Sequence, residues 1–449
     1  MHVSDEMRRS LESVVGVDGV IDSTPSGDTD WTGRFVGEPT VIVRPASTAE
    51  TAQLVTWARR ENVALVPRGG NTGLVGGSIA RGRAILVSTS RLRDLGPVDP
   101  LTRQVTVGAG VTLQEIQEHA RAHGLRYPVD FGARGTATIG GTVATNAGGV
   151  NVVRHGMTRR QVVGIEAVLG SGETVSHLGG LIKDNTGYDL VGLLCGSEGT
   201  LGIVTAVRLQ LVPRSSHVVT ALISCDDVDT AVDVVASVCS QLDTVDAAEL
   251  VTADGVALVR ETSGSDSSVP DRRVHVLVEC SSSIEQVDVL SEVLDAFVGV
   301  EVSVAVTASH RERLWRIREE QTPSINRLGV PFKFDVTVPL ARLASFVDRI
   351  PAAVGDVRPG ARTFVFGHVA DGNMHVNVVG GTGDEEALTA RVLGEVVACE
   401  GSISAEHGIG TAKRAWLHLS RSTAEIDAMR SIKQALDPNA VMNPGVLFP

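Results

Sequence analysis

The run Arg68-Gly69-Gly70-Asn71-Thr72-Gly73-Leu74-Val75-Gly76-Gly77-Ser78 constrains this chain more than any other stretch. It follows the apolar segment Val63 to Val66 and a proline, Pro67, and five of its eleven residues are glycine. Such a segment builds no core of its own. Glycine collects where the backbone needs φ > 0 or where something approaches the main chain closely. Successive N–H groups in a tight turn form a concavity suited to an anion. The run reads either as a pyrophosphate cradle or as a glycine-rich surface loop, and taken alone it does not decide between them.

Three more small-residue clusters follow, at 128–149, 183–189 and 196–200. Ahead of the first run a helix is expected from Thr48 to Asn62, with Ala52, Leu54, Val55 and Ala58 as its apolar stripe, and a shorter one follows it from Thr112 to His123. Strands are expected at Ile85–Val87, Gln104–Val107, Val162–Leu169 and Gly202–Val212. After Pro213 strands alternate with helices: strands at Val218–Ser224, Val274–Glu279 and Val302–Val306, helices at Val228–Leu242 and Ile284–Phe297. This texture predicts an α+β unit, with an exposed connector at Gly264 to Pro270.

A length of 449 residues allows two or three domains. The net charge of −13 and the lack of a basic run argue against nucleic acid as a partner. No uncharged apolar run is long enough to span a bilayer. Residues Met1 to Trp31 are acidic and lack an apolar signal core. The cysteines, Cys195, Cys225, Cys239, Cys280 and Cys399, are odd in number and none are spaced C-x-x-C, which argues against a disulfide framework, an iron–sulfur cluster or attached haem. A reduced, cytoplasmic protein is expected, or one held peripherally at the inner membrane.

Gly108-Ala109-Gly110 opens a helix after a strand, and Asp130 follows at the distance a dinucleotide fingerprint requires. The third glycine position is Leu113, however, which blocks close packing of helix on strand, so a nicotinamide site is not expected. There is no phosphate-loop lysine motif either.

The sharper chemistry lies near the C-terminus. Strand-like runs flank Asp371-Gly372, a preferred two-residue hairpin turn. With the turn there, His368 pairs directly with His375, and Asn377 shares their face. Two imidazoles so placed suit one metal ion, or they stack at a surface. Glu406-His407, in the small-residue loop Gly401 to Gly410, completes an open His/His/Glu zinc site with His407 beside it as a base. Arg318 and Thr322 fall one turn apart on an expected helix, Leu314 to Thr322, and Lys333 heads the strand Phe332 to Val338. Arginine and lysine bind carboxylates, though such charges are more often solvated faces.

The combination of Pro67–Ser78, Ile139–Gly149, Lys183–Leu190 and Gly196–Gly202 resembles the FAD domain of the vanillyl-alcohol-oxidase/PCMH flavoproteins. The rest of the chain, to about Pro444, resembles the FAD-linked oxidase C-terminal domain of the D-2-hydroxyacid dehydrogenases. The resemblance implies an α+β protein: a two-subdomain FAD-binding PCMH-type domain over residues 1–214, an α+β cap or substrate domain with an antiparallel sheet and the metal site over 215–420, and a C-terminal helical segment over 421–449 that packs back on the FAD domain. It places FAD against Arg68, Gly69, Gly70, Asn71, Thr72, Gly73, Gly77, Ser78, Pro128, Asp130, Gly135, Thr136, Gly140, Gly141, Ala144, Thr145, Asn146, Gly148, Glu198, Gly199, Gly202, Ile203 and Asn443. The cradle holds no histidine, so the flavin is expected to be non-covalent.

The family's metal ligands fall on His368, His375 and Glu406, its base on His407, and its substrate positions on Arg318, Thr322, Lys333, Asn377 and His407. The implied ion is divalent, zinc ahead of manganese or cobalt. The expected reaction is oxidation of a D-2-hydroxy acid, with the dicarboxylate D-2-hydroxyglutarate ahead of D-lactate, D-malate or glycolate. Electrons pass to an external acceptor: an electron-transfer flavoprotein, a quinone or a cytochrome. A homodimer is compatible with the resemblance. A zinc hydrolase on the same His/His/Glu set is the rival reading, and it leaves the glycine clusters unexplained. One departure stands out: where many relatives continue Asn-Pro-Gly-Lys, this chain has Asn443, Pro444, Gly445 and Val446.

Overall fold

The computed structural model describes residues 4–24, 29–38, 41–263 and 269–448. The chain divides into two compact units, one of Met1–Gly149, Gly156–Arg214 and Glu406–Pro449, the other of Val150–His155 and Ser215–Ala405.

The first unit holds two four-stranded sheets. One runs Val20–Asp22, Val41–Val43, Ala84–Ser88, Ala64–Arg68, and its last three strands are parallel. Leu65, Val66, Ile85, Leu86 and Val87 are all buried, the near-continuous apolar run that parallel strands need when both faces are covered. The helix Thr48–Glu61 packs on this layer through Leu54, Val55, Trp57 and Ala58. Ser47 caps its start by accepting from the Glu50 N–H, and Asn62 ends it in the left-handed region at φ 52°. The second sheet is antiparallel, in the order Gln104–Gly108, Gly202–Gln210, Val162–Leu169, Thr174–His177. Its helix, Leu113–Ala122, begins in a capping box of Thr112 and Glu115. The stretch 128–149 is not loop throughout. Ile139–Thr145 forms a short helix, because Thr138 accepts from the Gly141 N–H and restarts the chain. The C-terminal helix Thr423–Leu436 leads to a segment that lies along Ala64–Arg68, with Leu65 donating to Val441 O and Asn443 donating to Leu65 O.

The second unit is built on a seven-stranded antiparallel sheet, in the order Glu301–Ala305, His217–Cys225, Val274–Ser282, Val245–Thr252, Ala361–His368, Asn373–Gly380, Phe332–Thr337. Leu222, Val251, Leu277, Phe364 and Phe366 join Val256, Leu258, Leu314, Ile317 and Ile325 in one buried cluster. The strand Val245–Thr252 and the helix Ala253–Ser263 occupy a stretch where the sequence suggested neither. In the connector, Gly264 to Ser268 lie outside the described residues, and Val269 is buried rather than exposed. Among the described residues no helix is long and apolar enough to cross a membrane, and all five cysteines are free.

Candidate active site

In the second unit, strand register puts a set of polar side chains on one face. His375 stands opposite Phe366 on one side and Asp335 on the other. Asn377 stands between Phe364 and Lys333, and His368 between Glu249 and Asn373. Because directly paired residues and every second residue share a face, Glu249, His368, Asn373, His375, Asp335, Asn377 and Lys333 all project the same way.

The register corrects the expected hairpin. His368 pairs with Asn373, not His375. The connection takes four residues: a 3-10 turn at Val369–Asp371, with Asp371 accepting from the Asn373 N–H, then Gly372 at φ 75°. A Cβ on Gly372 would lie 2.1 Å from Val338 O, so the turn demands glycine on both counts. The two histidines become diagonal neighbours, within reach of long side chains. Their ring centroids are 5.4 Å apart and the rings are nearly perpendicular, at 81°.

Each histidine has a buried carboxylate behind it. His368 Nδ1 donates to Glu249 Oε1 in a very short contact. His375 Nδ1 lies 3.6 Å from Asp335 Oδ1, and Asp335 is itself fixed by Asn373 Nδ2 at 2.8 Å and by the Ala405 N–H at 3.1 Å. Such partners orient an imidazole and settle which ring nitrogen faces a metal. The residues present therefore fit an ion held by imidazole nitrogen. Glu249 also takes Arg318 Nε on Oε2 at 2.5 Å, and the Arg318 guanidinium lies over the Phe366 ring at 4.6 Å. Burial opposes ionisation of Glu249, but the His368 ring, while protonated, and the Arg318 guanidinium outweigh it and hold the carboxyl down at about 2.

Arg318 and Thr322 do not share a helix. Ala308–Glu319 ends, and Gln321–Arg327 begins with Thr322 on it. The cause is Pro323, which has no N–H to donate to Glu319 O and whose ring would crowd that carbonyl. Lys333 is half-buried, and burial pushes its ammonium down to about 8. Glu249 and Asp335 escaped sequence reasoning. The signals were there: an acid inside the apolar run Val245–Thr252, and polar residues at 333, 335 and 337 in one strand.

In the first unit the glycine loop leaves the carboxyl end of Ala64–Arg68, and its ends are clasped by Arg68, whose guanidinium donates to Ser78 O at 2.9 and 3.0 Å. Asn71, at φ 54°, donates to Thr29 O and accepts from Ser78 Oγ. None of the main-chain N–H groups from Gly69 to Ser78 meets a protein acceptor among the described residues. Gly69 and Gly70 press on the second small-residue cluster, where added Cβ atoms would stand 2.3 Å from Thr138 Oγ1 and 1.9 Å from Thr136 O. A Cβ at Gly73 would meet nothing within 4 Å. A row of unused donors beside open space fits a pyrophosphate.

Other residues expected against the flavin also make contacts within the protein. Glu198, at φ 52°, accepts from Ile409 N at 2.9 Å and Gly410 N at 2.7 Å. Burial pushes its carboxyl up, against the pull of those two N–H groups. Asn443 donates to Gly77 O at 2.9 Å and Glu198 O at 2.7 Å, joining two of the clusters. Asn146 accepts from Arg159 N, Thr145 donates to Gly141 O, and Asp130 pairs with Arg134 at 3.3 Å. Pro128 is buried; Gly135 and Thr136 lie in the turn before Thr138. Gly140 and Ala144 lie within the short helix and Gly148 follows it, Gly199 turns at φ 72°, and Gly202 and Ile203 begin a strand, with Ile203 in the core. Thr72 sits on the open loop. Glu406 Oε2 accepts from Gly149 N at 2.8 Å, and His407 Nε2 lies 3.8 Å from Glu406 Oε1. Val446 is buried.

Two family models match the chain: FAD linked oxidases, C-terminal domain, over residues 214–447, and FAD binding domain, over residues 39–177. A D-2-hydroxyglutarate dehydrogenase of Xanthomonas citri pv. viticola is 36% identical, covering 93% of this chain and 91% of that protein. The mitochondrial D-2-hydroxyglutarate dehydrogenase of Bos taurus is 33% identical, covering 100% of this chain and 84% of that protein. Among solved structures, p-cresol methylhydroxylase with substrate bound superposes with a TM-score of 0.77 at 15% identity, covering 99% of this chain and 97% of that one, a likeness of fold alone. The expected cytoplasmic location is overturned: the relatives from Bos taurus, Danio rerio, Rattus norvegicus and Arabidopsis thaliana are mitochondrial. Unpaired cysteines report a reducing milieu, not a compartment.

Proposed function

The chain belongs to the FAD-linked oxidases, and on that premise we propose that it oxidises D-2-hydroxyglutarate to 2-oxoglutarate with the help of a divalent metal. It is an FAD-dependent oxidoreductase related to the D-2-hydroxyglutarate dehydrogenases. The observation that carries the substrate assignment is the single sheet face bearing His368, His375, Arg318's anchor Glu249, Asn377 and Lys333.

A divalent ion held by His368, His375 and Glu406, zinc by the chemistry of the donors, would supply Lewis-acid polarisation of the substrate hydroxyl. Non-covalent FAD, cradled by residues 68–78 and the clusters joined to them, supplies the two-electron acceptor. The protein's own groups do the rest. Arg318, braced by Glu249 and Phe366, offers its remaining donors to one carboxylate. Lys333 and Asn377 lie on neighbouring strands, one two-residue step along the face from Asp335 and His375. That step is about 7 Å, a length suited to a second carboxylate. His407 takes the hydroxyl proton as the C2 hydride leaves for the flavin. Asp335 and Glu249 keep the imidazoles oriented. The electrons then go to an external acceptor.

The test is spectroscopic. Purified protein should be yellow, and anaerobic D-2-hydroxyglutarate should bleach its flavin band. A colourless protein, or a band that no 2-hydroxy acid bleaches, would refute the proposal.

A further inference from the structure

We propose that Glu249 is a positioning residue that sets the metal half and the carboxylate half of the site from one side chain. The inference rests on the reading of His368 as a metal ligand and Arg318 as a substrate anchor. Its basis is geometric. Glu249 is completely buried, with Oε1 on His368 Nδ1 and Oε2 on Arg318 Nε. An ionised carboxylate only accepts, so neutral His368 must present Nδ1 as its donor and keep its lone pair on Nε2, the nitrogen a metal would take. The other oxygen claims the Nε edge of Arg318, whose guanidinium plane is laid over Phe366. Two constraints thus aim the remaining N–H groups of Arg318, where free rotation would scatter them.

The strands make this arrangement unavoidable. Glu249 and His368 are direct cross-strand partners, so the carboxylate cannot serve Arg318 without also meeting the imidazole. Glutamine has the same shape but one acceptor and one donor end. It can serve Arg318 or the Nδ1–H of His368, not both. Metal binding and carboxylate binding are therefore joined through one residue.

The test compares flavin-loaded parent, His368→Ala and Glu249→Gln. Zinc affinity is measured against a competing chelator, and KM and kcat for D-2-hydroxyglutarate are measured with zinc saturating. Glu249→Gln is expected to lose about 10–100-fold in zinc affinity and to raise KM about tenfold or more. If the parent binds zinc, His368→Ala loses it, and Glu249→Gln keeps parental affinity and KM, the inference falls while the metal reading stands. If the parent binds no zinc, or His368→Ala binds it as the parent does, the reading falls and the inference with it. Should Glu249→Gln not fold, the metal-free parent decides. With 15N-histidine labelling, the His368 ring, identified by its absence in His368→Ala, is expected as the Nδ1–H tautomer. The Nε2–H tautomer would overturn the inference.

Discussion

Glu249 stands directly opposite His368 in the antiparallel register of Val245–Thr252 and Ala361–His368, and its second oxygen holds Arg318. The side chain proposed to bind substrate and the side chain proposed to face the metal therefore have one support, and changes on either side of it are predictable.

Arg318→Lys keeps a positive charge but loses the planar fork that can hold Glu249 through Nε and still offer donors elsewhere. KM for D-2-hydroxyglutarate should rise about tenfold or more, with flavin content unchanged. Steady-state kinetics on protein of matched flavin occupancy checks this.

Lys333 predicts a pH dependence. Burial pushes its ammonium down to about 8, so the charge that would hold a second carboxylate is lost as pH rises past that value. KM for D-2-hydroxyglutarate should climb above about pH 8, KM for D-lactate should not, and Lys333→Gln should remove the inflection. The stability sign is opposite. A lysine whose folded value is depressed destabilises the native state while protonated, so its contribution improves between about 8 and the unfolded value of about 10.4. A rising KM with no fall in Tm over that window distinguishes lost binding from unfolding.

The glycine loop offers a matched pair. Gly70→Ala puts a methyl group 1.9 Å from Thr136 O and should prevent folding of the loop against its neighbour. Gly73→Ala meets no protein atom within 4 Å, so it should leave Tm of the apoprotein unchanged. If the flavin occupies that space, Gly73→Ala should still lower FAD affinity, read as a smaller flavin-to-protein absorbance ratio after dialysis. Parental FAD affinity in Gly73→Ala would remove the cradle from the cofactor site.

Gly372→Ala forces a left-handed residue against Val338 O. The strain should cost about 1–3 kcal/mol, lower Tm, and weaken metal binding, because this turn sets the register of His368 and His375.

Much of this was legible in the sequence. The strand-forming segments around Asp371-Gly372 gave away a hairpin, and the period-two spacing of His375 and Asn377 put them on one face. The register was not legible, because an Asp-Gly pair serves a two-residue turn and a longer left-handed one equally well; only the packing of Gly372 under Val338 selects between them. The strand Val245–Thr252 was invisible for a related reason. All but one of its residues are buried, so it has no alternation to mark it as a strand. The resemblance set Glu198 among the flavin contacts. Its side chain also holds the Ile409 and Gly410 N–H groups, a pairing between residues far apart in the chain that no local pattern reports.

The central claim is that this sheet face selects a D-2-hydroxy dicarboxylate. The most direct measurement is kcat/KM for D-2-hydroxyglutarate and D-lactate on the same flavin- and zinc-loaded preparation. The account predicts a higher value for D-2-hydroxyglutarate, with the advantage lost in Lys333→Gln. A higher value for D-lactate in the parent protein would contradict it.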